Sequence, residues 1–207
     1  MTILHLIRHG HNEYIEKGLL AGRLPGVHLS ERGKRQAESL ARATAQVPLR
    51  AVYASPLERT METARPIAEA HGLEVAPRPG LIEIGYGTWQ GRSFKVLRRR
   101  KLWRTLLAAP SLVRFPQGES FMEAQARVVT ELEALRGLHP GKRATIACVT
   151  HADIIKLAIA HYLGLPLDLF RRLVVEPGSI TSLVIEDAQI RLLRLNDTHA
   201  ANLAGSL

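Results

Sequence analysis

Two short apolar runs, far apart in the sequence and each followed by a histidine, constrain the fold more than any other feature. The first run is residues 3–7, and Arg8 and His9 follow it directly. The second run is residues 144–149, and His151 stands just beyond its end. Runs of this length and composition predict buried strands of a parallel sheet, and ligands bind at the carboxyl edge of such sheets. If the two strands are neighbours, both imidazoles enter one pocket.

The rest of the chain alternates strand and helix patterns, which predicts an α/β fold with a mostly parallel sheet covered on both faces. No internal repeat or linker interrupts residues 1–207, so we expect a single domain. The last two strands form a β-pair joined by a turn at residues 187–188. Further strands are predicted at 49–54, 73–76, 181–186 and 189–195, and helices at 31–47, 55–71, 120–136, 153–164 and 167–173.

Two helix starts carry the pattern of a capping box, in which a serine and a glutamate three residues later satisfy free backbone amides. Ser55 and Glu58 form one such pair, with Pro56 suited to the first helical position. This start places Arg59 near the first turn, where free amides and a guanidinium together favour an anion. Ser120 and Glu123 form the second pair, at residues 120–123.

Composition favours a soluble cytoplasmic protein. Hydrophobic residues make up 46% and charged residues 23% of the 207 residues. No apolar run approaches the roughly 20 residues that span a bilayer, and the amino terminus lacks the pattern of a secretion signal. The single cysteine, Cys148, falls inside a predicted strand and is expected to be a core residue. The net charge of +9 suits nucleic acid, an anionic membrane or an acidic small substrate.

Much of the positive charge lies in residues 92–115, which we call the cap segment. It is basic and apolar, without an acidic residue, and its first half predicts one basic amphipathic helix over residues 92–104. Three interpretations stay open: a solvated helix face, a cap that attracts acidic substrates to the pocket, or a surface for nucleic acid or anionic lipid. Arg92 is the member that we expect nearest the pocket.

The side chains expected at the sheet edge suit phosphoryl transfer. A phosphate monoester is a dianion, which Arg8, Arg59 and a protonated His151 would stabilise. His9 is a competent nucleophile because its neutral form is abundant at neutral pH. Glu83, in a loop rich in glycine, would have a raised pKa near apolar neighbours and would protonate the leaving group.

Five sequence motifs resemble those of the histidine phosphatase superfamily, the phosphoglycerate-mutase-like group. They follow the expected order and extend over most of the chain, at residues 6–10, 55–60, 83–91, 118–120 and 150–152. The resemblance implies a three-layer α/β/α sandwich, to which the predicted terminal β-pair adds a C-terminal antiparallel edge. It also implies that no metal and no cofactor are required.

The resemblance also implies a role for each catalytic residue. His9 would be the phosphorylated nucleophile, Glu83 the proton donor, and Arg8, Arg59 and His151 the pocket that holds the phosphoryl group. Substrate contacts are expected from residues at less typical positions. Asn12 stands where the family often has serine or threonine, and Ala152 replaces a common glycine but keeps its backbone N–H; Gly22 and Arg92 complete this group.

The glycolytic mutases that this chain resembles usually have a longer insertion after the acid loop (residues 83–91) than this chain has. The resemblance therefore favours a phosphatase over a phosphoglycerate-type mutase, because a more open pocket lets water reach phosphohistidine. A module that binds an anion without turnover is the alternative from another class. The expected partner is a small phosphorylated substrate, and nucleic acid is disfavoured. A homodimer through the terminal strands is a further expectation. No spacing indicates a metal site, so the remaining histidines are predicted to be structural or solvated: His5, His11, His28, His71, His139, His161 and His199.

Overall fold

The carboxyl edge of one sheet positions both histidines. A computed structural model describes residues 1–140, 143–186 and 189–198. The predicted turn at 187–188 and His199 lie outside the described residues. The sheet has six strands in the order β3-β2-β4-β1-β5-β6. Their bounds are β1 Thr2–Arg8, β2 Leu49–Ala54, β3 Val75–Pro77, β4 Ala144–Thr150, β5 Ile180–Glu186 and β6 Gln189–Asp197.

Strands β1 to β4 pair in parallel, whereas β5 pairs antiparallel with β1 and with β6. The predicted α/β class with an antiparallel C-terminal edge is therefore confirmed. Strands β1 and β4 are adjacent, with Arg8 opposite Thr150. His9 and His151 consequently leave neighbouring strands at the same level, and the His9 N–H donates to the Thr150 carbonyl at 2.9 Å.

Seven α-helices are assigned in the described residues. They are α1 Glu13–Glu16, α2 Glu31–Thr44, α3 Glu58–Glu69, α4 Phe94–Leu97, α5 Lys101–Ala108, α6 Phe121–Gly137 and α7 Ala152–Tyr162. Short 3₁₀ helices occupy Pro79–Leu81, Gly87–Trp89, Pro110–Leu112 and Leu167–Arg172. None of the helices in the described residues is long and apolar enough to cross a membrane.

Successive side chains of a strand point to opposite faces of the sheet, so the core forms two layers, one on each face. In β4, Ile146 and Cys148 pack on the side of α6 and α7. Ala147 and Val149 pack on the opposite side, with α2 and α3. The sheet is thus sandwiched between helices, and Cys148 is a buried core residue, as expected.

The capping box at Ser120 is present, since its side chain accepts from the Glu123 N–H and Glu123 accepts from the Ser120 N–H. The box predicted at Ser55 is wrong. Helix α3 begins at Glu58 after an N-cap at Leu57 without a side-chain bond, and Pro56 precedes the helix. The Ser55 hydroxyl instead contacts His151, a long-range partner that the local pattern does not reveal.

The single helix predicted over residues 92–104 is also wrong, because α4 ends at Leu97 and α5 begins at Lys101. In one straight helix, Phe94 and Trp103 would lie on opposite faces. The break between α4 and α5 brings their ring centroids to 6.3 Å, and both side chains line the same cavity.

Candidate active site

His9 presents its Nε2 atom to the cavity in the form required of a nucleophile. Its Nδ1 lies 2.7 Å from the Gly10 carbonyl, which can only accept, so Nδ1 carries the proton and Nε2 the lone pair. Burial, with Arg59 and Arg8 nearby, holds the pKa of His9 well below its usual range. The imidazole is therefore neutral at physiological pH.

Two guanidinium groups flank this imidazole. Arg59 lies in the first turn of α3, is 1% exposed, and donates from Nη2 to the Gly22 carbonyl at 2.7 Å. Its Nε lies 3.4 Å from His9 Nε2. Arg8 donates from Nη1 to the Val175 carbonyl at 2.6 Å. Among the described residues, Arg59 Nη1 and Arg8 Nε are buried donors without a protein acceptor, which is the chemistry of an anion site.

His151 packs edge-on against His9, with ring centroids 5.3 Å apart. Its Nε2 lies 2.8 Å from Ser55 Oγ and its Nδ1 lies 3.3 Å from Arg59 Nη2. Burial, Arg59 and His9 hold the pKa of His151 well below its usual range. The protonated form that the sequence suggested is thus disfavoured in the free protein, and a bound dianion would raise this pKa.

Glu83 lines the same cavity as His9. Burial, reinforced by the nearby charge of Asp153, raises the pKa of Glu83 to about 7. Its Oε1 accepts from the Ile84 N–H at 2.9 Å, and its Oε2 lies 3.8 Å from His151 Nδ1. A carboxyl group with this pKa is partly protonated at neutral pH and so is suited to proton donation.

A network behind the acid loop fixes Glu83 in place. Glu119 pairs with Arg23 at 2.7 Å and with Arg127 at 3.0 Å, and it accepts from the Gly85 N–H at 2.9 Å. Arg127 also donates to the Gly80 and Ile82 carbonyls. The motif at residues 118–120 contains Glu119 but does not indicate this structural role, and no sequence pattern indicated such a role for Arg23 or Arg127.

These residues surround one cavity of about 400 Å³. Of the four predicted substrate contacts, Asn12, Gly22 and Ala152 line it, and Arg92 lies outside that lining. The Asn12 side-chain oxygen accepts from the Ile15 N–H at 3.0 Å, which leaves its amide nitrogen as a donor. Among the described residues, no group of three or more potential ligands is arranged to hold a metal ion.

The cavity wall contains functional candidates to which no sequence pattern gave a role. Asp153 accepts from the Tyr86 hydroxyl at 3.1 Å and from Lys156 at 3.2 Å, and Arg171 lies on the same wall. One signal was available for Ser55: it follows β2 directly, as His151 follows β4, and β2 and β4 are adjacent. Strand-end position alone thus predicts that Ser55 lies close enough to contact His151.

The fold and the site define an α/β protein with a cationic pocket at the carboxyl edge of its sheet, and comparison with known proteins gives its family. A family model described as "Histidine phosphatase superfamily (branch 1)" matches residues 4–198. The chain therefore belongs to the histidine phosphatase superfamily, as the sequence motifs indicated.

Similar proteins include both phosphatases and mutases. The chain is 34% identical over 200 residues to Phosphoserine phosphatase 1 of Hydrogenobacter thermophilus, covering 96% of this chain and 93% of the relative. It is 29% identical over 196 residues to a 2,3-bisphosphoglycerate-dependent phosphoglycerate mutase of Thermoplasma acidophilum, covering 93% and 92%.

Among solved structures, a phosphoserine phosphatase from Entamoeba histolytica in complex with 3-phosphoglyceric acid superimposes with a TM-score of 0.87. The two are 28% identical, and the match covers 98% of this chain and 100% of that chain. These relationships support a phosphatase or mutase enzyme.

Proposed function

We propose that the protein is a metal-independent phosphatase that hydrolyses small phosphate monoesters through a phosphohistidine intermediate on His9. One observation carries the proposal: His9 Nε2, which holds the lone pair, lies 3.4 Å from Arg59 Nε, and Arg59 and Arg8 each keep a buried N–H donor without an acceptor in the described structure. Such a site binds the phosphoryl dianion and presents a nucleophile to its phosphorus atom.

In the first step, His9 Nε2 forms a bond to phosphorus as the bond from phosphorus to the ester oxygen breaks. Glu83 transfers its proton to that oxygen, so the alcohol leaves neutral. Arg8 and Arg59 stabilise the charge on the non-bridging oxygens. His151 supplies a further contact once the dianion has raised its pKa.

In the second step, water attacks phosphorus and the bond from phosphorus to His9 breaks. The Glu83 carboxylate accepts the proton of the water, and inorganic phosphate leaves. The enzyme returns to its starting protonation state, so proton and phosphoryl transfers balance over the cycle without a metal ion.

Hydrolysis is favoured over transfer between phosphoglycerates because identity is higher to the phosphatase than to the mutase, at 34% against 29%. We infer that Asn12, Gly22 and Ala152 contact the substrate, because all three line the cavity. The single domain, the substrate-contact role of Arg92 and the homodimer stay predictions.

Phosphate release from a panel of monoesters in EDTA, with His9→Ala alongside, tests the proposal. We expect release by the wild type and none by the variant. Acid-labile phosphate retained on the wild type, but not on His9→Ala, would identify the intermediate. Release that requires an added divalent metal, or that persists in His9→Ala, would contradict the mechanism. Phosphoryl exchange that requires a bisphosphorylated primer would favour the mutase.

A further inference from the structure

A second cleft lies on the cap segment. It has a volume of about 430 Å³, within the size range of small-molecule sites. Its lining includes Arg92, Arg100 and Lys101, together with Thr88 and Trp89. We call it the cap cleft. It is separate from the catalytic cavity but shares one wall with it, because Trp89 lines both.

The charge in the cap cleft has one sign. Three cations line it without an acidic residue in the lining, and the sequence from Ile84 to Gly118 contains neither aspartate nor glutamate. Within the described part of the chain, Arg92, Arg100 and Lys101 form no ion pair. The three side chains are exposed, and like charges that line one cleft repel one another, so an anion bound there relieves that repulsion.

The stability of α5 does not explain Arg100 and Lys101. Arg100 is the N-cap of α5 and Lys101 is its first residue, and the first turn has no acidic residue. Positive side chains at a helix N-terminus oppose the helix dipole and so destabilise the helix. Solvated surface cations that support a helix are instead placed near its C-terminus.

The cap cleft adjoins the catalytic cavity through shared and contacting residues. Trp89 is 5% exposed and stacks on Trp103, a residue of the catalytic cavity, with ring centroids 6.2 Å apart. The Arg92 carbonyl accepts from the N–H of Leu20, another residue of that cavity, at 2.9 Å. A ligand in the cap cleft therefore contacts the outer side of the catalytic cavity wall.

We propose that the cap cleft binds a ligand carrying several phosphate groups, at a site separate from the catalytic cavity. Two arginine forks and a lysine ammonium match such a ligand in charge and in hydrogen-bond donors. The cleft volume exceeds the space needed by one inorganic phosphate. The proposal does not rest on turnover, so it can fail or succeed independently of the phosphatase mechanism.

Calorimetric titration with tripolyphosphate tests the site directly. The double variant Arg100→Gln/Lys101→Gln removes two charges from the cleft. The matched control Arg98→Gln/Arg99→Gln removes two charges from neighbours that are equally classed as exposed but lie outside the lining. We expect the cleft variant to weaken one binding event about tenfold or more, and the control to weaken it about threefold at most. Thermal unfolding of the three proteins checks that all are folded.

Tryptophan fluorescence gives a second readout, because Trp89 and Trp103 are the two tryptophans of the chain. We expect tripolyphosphate to change the emission of the wild type and of the control, and to lose most of that effect in the cleft variant. Equal weakening in both variants would show diffuse attraction to a basic surface and overturn the proposal. The proposal would also be overturned if the wild type did not bind tripolyphosphate, or if the cleft variant weakened none of its binding events.

Vesicles distinguish a soluble ligand from a lipid headgroup. The lipid headgroup would be the source of the ligand if the protein sediments with phosphatidylglycerol vesicles, if the cleft variant reduces this sedimentation more than the control does, and if tripolyphosphate competes with it. Tripolyphosphate binding without such sedimentation would identify a soluble ligand. Both results retain the site.

Discussion

Ser55 Oγ lies 2.8 Å from His151 Nε2, so the residues that directly follow two neighbouring strands, β2 and β4, are hydrogen-bonded across the sheet edge. This bond directs Nδ1 of His151 towards Arg59 and Glu83. The hydroxyl thus orients an imidazole that the proposed mechanism uses, without itself reaching the phosphoryl group.

Ser55→Ala should lower both stability and turnover. A buried His151 nitrogen would lose its partner, at a cost of about 1–3 kcal/mol in the free energy of unfolding. A displaced imidazole should also reduce kcat roughly 10- to 100-fold. Denaturant unfolding and steady-state kinetics measure the two effects.

Ser182→Ala is the matched control, because Ser182 Oγ lies 2.8 Å from Nδ1 of the buried His5, away from the cavity. It should cost similar stability and leave kcat nearly unchanged. If both variants reduce kcat equally, Ser55 has no particular role in orienting His151.

Asp153→Asn should shift the pH dependence of kcat/KM. In the wild type we expect activity to fall above about pH 7, as Glu83 loses the proton that it donates. Asp153 raises the pKa of Glu83, so its neutralisation should lower that pKa and move the alkaline limb to lower pH. The variant also leaves the positive charge of Lys156 without its Asp153 partner, and this charge should lower the pKa of Glu83 further.

Asp168→Asn controls for loss of a carboxylate, since Asp168 accepts from the Ser111 N–H and lies outside the cavity lining. Its alkaline limb should coincide with that of the wild type. If kcat/KM of Asp153→Asn falls at the same pH as that of the wild type, or at a higher pH, Asp153 does not raise the pKa of Glu83.

Sequence patterns predicted the strand ends but not the side-chain contacts made across them. His9 and His151 were located correctly because buried strands have a clear apolar signature and share one edge. Ser55 was misassigned because a capping-box pattern is local, whereas its actual partner is 96 residues away. The structural roles of Glu119 and Arg127 were not predicted for a similar reason, since their network forms only when α6 packs beside the acid loop.

Acid should destabilise the protein through its buried histidines. Burial, with Arg194 nearby, lowers the pKa of His5 from 6.5 to about 4. The unfolded chain therefore binds a proton below pH 6.5 that the folded state excludes, and stability falls as pH decreases from 6.5 to 4. His5 alone should contribute about 1.4 kcal/mol per pH unit within this window.

The free energy of unfolding of wild type and His5→Gln, measured from pH 6 to 4.5, tests this contribution. The slope should decrease in the variant but not vanish, because His9 and His151 act in the same direction. His161→Gln, at an exposed position, controls for loss of an imidazole. A His5→Gln slope equal to that of the wild type would contradict the prediction.

Two glycines with similar backbone angles should respond very differently to alanine. Gly87 has a φ of 52° and Gly72 a φ of 62°, and both angles disfavour a side chain. A Cβ atom on Gly72 meets no atom within 4 Å, whereas one on Gly87 would collide with the Pro116 carbonyl oxygen and the Gln117 backbone.

Gly72→Ala should therefore cost only the left-handed strain, about 1–2 kcal/mol, with kcat unchanged. Gly87→Ala must also separate the acid loop from residues 116–117, which should displace Glu83 and lower kcat as well as stability. Unfolding midpoints and kcat for the two variants check this. Equal stability losses with kcat intact in both would mean that the close backbone contact does not hold Glu83 in position.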